Sequence, residues 1–103
     1  MTLVLKRGDL TPNLSITLTD DDEPVNLTSA TDIRLIGTRR GVVVFDRSLS
    51  GSAQGVVTMP WQAGDTDDLG VILVEAEVMW PGDKPQTFPH DGFERVRISL
   101  DGG

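Results

Sequence analysis

Gly70-Val71-Ile72-Leu73-Val74-Glu75-Ala76-Glu77-Val78-Met79-Trp80 is the longest strand-like run in the chain. Its residues alternate strictly. Ile72, Val74, Ala76, Val78 and Trp80 fall on one face, and Val71, Leu73, Glu75, Glu77 and Met79 fall on the other. A period of two belongs to a strand, because successive side chains leave a pleated backbone on opposite sides. The two glutamates make the second face wet at its middle. Pro81-Gly82-Asp83-Lys84 then reads as the closure of a hairpin. Thr87-Phe88 starts the return strand, which Phe93, Val96, Ile98 and Leu100 finish.

The same alternation extends towards the N-terminus. Leu3 and Leu5 point one way with Val4 opposite, and Leu14, Ile16 and Leu18 form an inward face with Ser15, Thr17 and Thr19 outward. Asp20-Asp21-Asp22-Glu23-Pro24 is a turn, since Asp side chains bond their own backbone and Pro24 cannot donate to a ladder. Ile33 and Leu35 alternate with Arg34 and Ile36, and Gly37 to Gly41 forms the next turn. Val42 to Phe45 is an almost continuous apolar run, which predicts a strand buried on both faces or nearly so. Val56 to Trp61 is a further strand whose Pro60 places it at an edge or a strand end. Ala63 to Leu69 is the one stretch compatible with a helical turn, with Asp65 or Thr66 as its cap. The expected fold is all-β: an immunoglobulin-like antiparallel β-sandwich of seven to nine short strands over residues 1–100, with residues 101–103 a flexible tail.

Composition narrows the function. A chain of 103 residues is one domain by length. It has no cysteine, which excludes disulfides and thiolate metal sites and favours folding in a reducing cytoplasm. Leu3-Val4-Leu5 before Lys6-Arg7 is too short for a signal-peptide core or a membrane span, so neither secretion nor a membrane partner is expected. The net charge is −7, and the nine Lys and Arg residues are scattered, so no nucleic-acid partner is expected either.

No constellation points to catalysis. Asp20 to Glu23 would suit calcium in number, but neighbouring side chains in a turn diverge and the spacing of a calcium loop is missing. Glu75 and Glu77 lie side by side on one strand face instead of flanking a substrate from separate elements. His90 is the only histidine and has neither a metal-ligand set nor a nucleophile motif beside it. Asn13-Leu14-Ser15 and Asn26-Leu27-Thr28 match the glycosylation sequon, which has no meaning without secretion. No enzyme activity, metal or cofactor is expected. Trp61, Trp80, Phe88 and Phe93 end strands, where they either plug the core or stay exposed as contact platforms.

Several segments are similar to one family. Val4-Leu5-Lys6-Arg7-Gly8-Asp9 resembles the start of short actinobacteriophage tail proteins. Leu18 to Thr28 looks like a segment of the phage baseplate upper-protein N-terminal domain, with Glu23 where a glycine is usual. The spacing of Trp61, Gly64-Asp65-Thr66 and Gly70 matches a second segment, and Glu75-Ala76-Glu77-Val78 and Thr87-Phe88-Pro89 complete the series. The resemblance implies an immunoglobulin-like sandwich in the virion. It would dock on other tail or baseplate proteins, as a homo-oligomeric ring and without catalysis. The expected form is a free-standing minor tail protein, folded in the host cytoplasm before assembly. Leu3, Leu5, Arg7, Trp61, Trp80 and Phe93 are the interface candidates. The alternatives are a structural role on the capsid or at the head–tail joint, and a cell-envelope glycan-binding module that uses the exposed aromatics.

Overall fold

The computed structural model describes residues 2–88 and 94–100. His90, Phe93 and the 101–103 tail, each singled out in the sequence, lie outside the described residues. Among the described residues ten strands run in chain order: β1 (Thr2–Lys6), β2 (Leu14–Thr17), β3 (Thr19–Asp20), β4 (Glu23–Pro24), β5 (Asp32–Arg39), β6 (Val42–Leu49), β7 (Val56–Met59), β8 (Gly70–Trp80), β9 (Lys84–Phe88) and β10 (Glu94–Ser99). The larger sheet has the order β1-β10-β8-β5-β6, with β9 also on β8, and β2 pairs β7 in the smaller one.

β8 organises the larger sheet. Along one side it pairs β5 from Asp32↔Met79 to Thr38↔Leu73. Along the other, its first half pairs β10 and its second half pairs β9. The return strand is therefore split in two. Phe88 faces Ala76, yet Glu94 faces Val74, so this side carries four more residues than β8 does over the same span.

The alternation read from the sequence sets what is buried. Ile72, Val74, Ala76 and Val78 of β8 lie beside Ile33 and Leu35 of β5 and Val96 and Ile98 of β10, all buried. Leu14 and Ile16 of β2, opposite Met59 and Val57 of β7, belong to the same core cluster from the second sheet. Burying each such side chain contributes about 1.5–3 kcal/mol. The β2–β7 pair with β10, β8 and β5, extended by β1 at one edge and β6 at the other, makes an all-β sandwich.

Four local expectations are corrected. Ten strands replace seven to nine, because the acidic turn carries its own two-rung ladder (β3–β4) and the last strand is split. The sheet is not wholly antiparallel: β1 runs parallel to β10. Ala63 to Leu69 forms successive turns, not a helical one, with Asp65 N donating to Gln62 O and Asp67 N to Gly64 O. Finally, β6 is an edge strand and is not buried on both faces: Val42 and Val43 are 66% and 57% exposed, while Phe45 is buried. Four apolar residues in a row look alike whether one neighbour strand or two will cover them.

The turns follow from chemistry. Asp21 and Asp22 have φ of 50° and 64°, and Arg40 and Gly41 have φ of 52° and 79°. Two successive left-handed residues make the mirror-image two-residue hairpin that matches strand twist, and Asp and Gly tolerate it best. Beyond the second hairpin the β5–β6 register shifts between Gly37 and Thr38, leaving Val44 as the extra residue. Gly37 is buried against Phe45, and a Cβ there would overlap the aromatic ring. Gly37→Ala is expected to cost about 1–3 kcal/mol through overpacking, read as a lower urea midpoint. Unchanged stability would mean that the Phe45 ring has room to move.

Candidate protein interface

The surface separates into a closed end, two edges and one open face. The closed end is built from polar anchors on the β7–β8 connection. Trp61 Nε1 donates to Pro12 O at 3.0 Å, and the indole meets the Phe45 ring edge-on at 5.9 Å. Thr66, fully buried, donates from Oγ1 to Asp9 O at 2.9 Å. Arg47 falls on the inner face of β6, in the same alternation as Phe45 and Leu49, so its charge needs a buried partner. Asp65 supplies one: the guanidinium grips the carboxylate with both arms, Nη1 to Oδ2 at 2.6 Å and Nη2 to Oδ1 at 2.7 Å. The Asp65 side chain is 8% exposed, and its Oδ2 also accepts from Gln62 N at 2.8 Å.

This pairing sets the charge states. The hydrogen bonds from Arg47 hold the Asp65 carboxyl below the usual carboxylate range against the opposing effect of burial, with the Gln62 amide helping. Arg47 is raised in turn, chiefly by the same bonds. The guanidinium carbon also sits 5.7 Å from the Phe45 ring centroid. The anchored end thus consists of Phe45, Trp61, Arg47 and Asp65, with no free ligand-binding group among them.

Of the interface candidates, Leu5 and Trp61 are not surface groups: they are 2% and 5% exposed, and both belong to the core cluster. Trp61 is drawn inward because Pro12 O satisfies its N–H, which removes the usual reason for an indole to reach water. Trp80 is half-buried against the core, with Nε1 donating to Gln86 Oε1 at 2.8 Å. Leu3 is half-buried beside a shallow cleft of about 110 Å³ that Asn13, Ser15 and Arg95 also line. Arg7 is exposed just past β1, its amide bonded to Ser99 O. The N-terminal edge therefore offers Arg7, exposed Val4 and the outer rim of β1. A second cleft of about 370 Å³ is lined by Leu27, Thr31, Asp32, Ile33 and Leu49. At its rim Thr31 Oγ1 donates to Met79 O at 3.0 Å.

The open face is the outer side of the larger sheet, the one that Glu75 and Glu77 are expected to keep wet at its middle. Val4, Val71, Leu73, Ile36 and Val43 lie on it with Arg95, Arg97, Glu75, Glu77, Arg34 and Asp46, none of them buried. Arg34 Nε donates to Asp46 Oδ1 at 3.0 Å and Nη1 lies 3.8 Å from Glu77 Oε1. Its hydrogen bonds depress the Asp46 carboxyl. The signal was present in the sequence: three of the five outward positions of β8 are apolar, more than a solvated face needs. Among the described residues, no group of His, Asp or Glu is arranged to hold a metal ion.

Asp65→Asn should destabilise the domain by about 2–4 kcal/mol, because it leaves Arg47 half-buried without its counter-charge. Adding Arg47→Met should recover most of that loss. Because the folded-state value of Asp65 lies below its unfolded one, its contribution is complete above about pH 4 and is lost as pH falls through the folded value. Urea unfolding between acid and neutral pH should therefore show a steeper loss in the parent than in Asp65→Asn. Parallel profiles would contradict the assignment.

Compared with known proteins, the chain matches no family model, no curated protein and no solved structure.

Proposed function

We propose that this chain is a structural protein of a phage virion, placed at the tail tip or baseplate and acting by docking in several copies without catalysis. The observation that carries this reading is a well-anchored sandwich whose larger sheet has, among the described residues, an uncovered face and unpaired edges at β1 and β6. Unpaired strand edges and an uncovered sheet are the surfaces by which one protein adds to another. The segments that resemble the baseplate upper-protein domain fall on defined elements of this fold. Leu18 to Thr28 contains the β3–β4 hairpin, and Trp61 to Gly70 forms the anchored β7–β8 connection.

The glycan-binding alternative is weakened by the aromatics themselves. Trp61 is buried, and Trp80 has its N–H engaged and one side on the core, so neither offers a free stacking face.

Immunogold labelling of purified virions from the source phage, with antibody against the recombinant chain, tests the proposal. Label confined to the tail tip is expected. Label on the head or at the head–tail joint would move the position and keep the structural role. Protein found in infected cells but absent from virions would overturn the reading.

A further inference from the structure

The charges on the open face lie in bands across the strands. Taken from the β5–β6 hairpin end, the rows run Arg97 with Val71, then Arg95 with Leu73, Thr38 and Val43, then Glu75 with Ile36 and Asp46, then Glu77 with Arg34. Two basic rows are followed by an acidic one and by a mixed one in which Glu77 lies beside Arg34, with Leu73, Ile36 and Val43 in the middle rows. Arg95 and Arg97 are exposed, Glu75 is half-buried, and none of the three has an ion-pair partner among the described residues.

We propose that this face binds a second copy of the chain, outer sheet on outer sheet, about a two-fold axis that crosses the strands. A two-fold contact brings the same patch from both copies together, so the patch must complement itself. This one does so about a crosswise axis. Placed between the second and third rows, a crosswise axis sets Arg95 of each copy towards Glu75 of the other, and Arg97 towards Glu77. Each pair is offset by one strand, about 4.8 Å, within the reach of an arginine. Rows two and three then meet, with Leu73 over Glu75 and Val43 over Asp46 of the other copy, and with Ile36 one strand away from both apolar side chains. An axis along β8 would instead stack its glutamates on their own copies, which like charge disfavours.

Extent supports the same partner. The strands of the larger sheet run from five to eleven residues, and at ~3.3 Å per residue and ~4.8 Å per strand they give a face of roughly 700 Å². A stable interface takes about that area from each partner. The inference does not depend on the virion reading, and it leaves the β1 and β6 edges free for other contacts.

Sedimentation equilibrium on the intact chain tests it. The parent should dimerise reversibly, more weakly as salt rises. Arg95→Glu with Arg97→Glu, and separately Glu75→Arg with Glu77→Arg, should each raise the dimer dissociation constant at least ~100-fold. An equimolar mixture of the two variants should dimerise within about tenfold of the parent, because both sets of facing charges are then opposite again. Thermal unfolding of each variant near the parent value shows that the fold is intact. A variant that unfolds early is replaced by its neutral counterpart, Arg95→Gln with Arg97→Gln or Glu75→Gln with Glu77→Gln, which should weaken the dimer in the same direction. A parent that stays monomeric at every concentration and salt overturns the proposal. So do folded variants that dimerise like the parent, or a mixture that stays monomeric.

Discussion

The structure depends on the double pairing of β8. A strand hydrogen-bonded along both edges has no freedom left in register, and a one-residue slip would turn Ile72, Val74, Ala76 and Val78 towards water. That register fixes β5 on one side and β9 and β10 on the other, and through them the β6 and β1 edges. The β2–β7 pair then lies over the only apolar face left uncovered by the larger sheet. The face opposite, with its alternating bands of charge, is open for the same reason. A two-stranded partner sheet covers one side of β8 and nothing in the described chain covers the other.

A second constraint closes one end. Arg47 falls on the inward side of β6 because strand alternation puts it there, and a guanidinium in that position is tolerable only with a counter-charge. Asp65 meets it from the β7–β8 connection, eighteen residues further along the chain. The same connection is held by Trp61 on Pro12 and by Thr66 on Asp9, so its turns are fixed from three directions. Removing either partner of the ion pair leaves a desolvated charge, whereas replacing both with apolar groups need not be costly. The pair therefore specifies how the connection packs more than it adds net stability.

Much of this was legible in the sequence. Faces were readable wherever apolar and polar residues alternate, as in β2, β5 and β8, and turns were readable where Asp, Gly and Pro impose their own dihedral angles, as at 20–24 and 81–84. What was not legible depends on neighbours distant in sequence. Val42 to Val44 gives no sign of lying at an edge, because its exposure is decided by the absence of a strand beyond it. Trp61 looks like a surface aromatic until Pro12 O is brought to its N–H. The partnership of Arg47 and Asp65 had one available signal, a charge placed in register with Phe45 and Leu49. The open face was visible in the composition of β8, but its banding appears only once the registers of β10 and β5 are known.

Native-state hydrogen exchange tests the central place of β8 most directly. Amides from Ile72 to Val78 should exchange only through global unfolding, as the most protected segment of the chain, while those of β1 and β6 open locally at lower free energy. If β8 exchanged as fast as the β6 edge, or if its protected and exposed amides alternated as they do in a strand paired on one side, β8 would not lie between two neighbours, and the fold and both surfaces derived from it would be wrong.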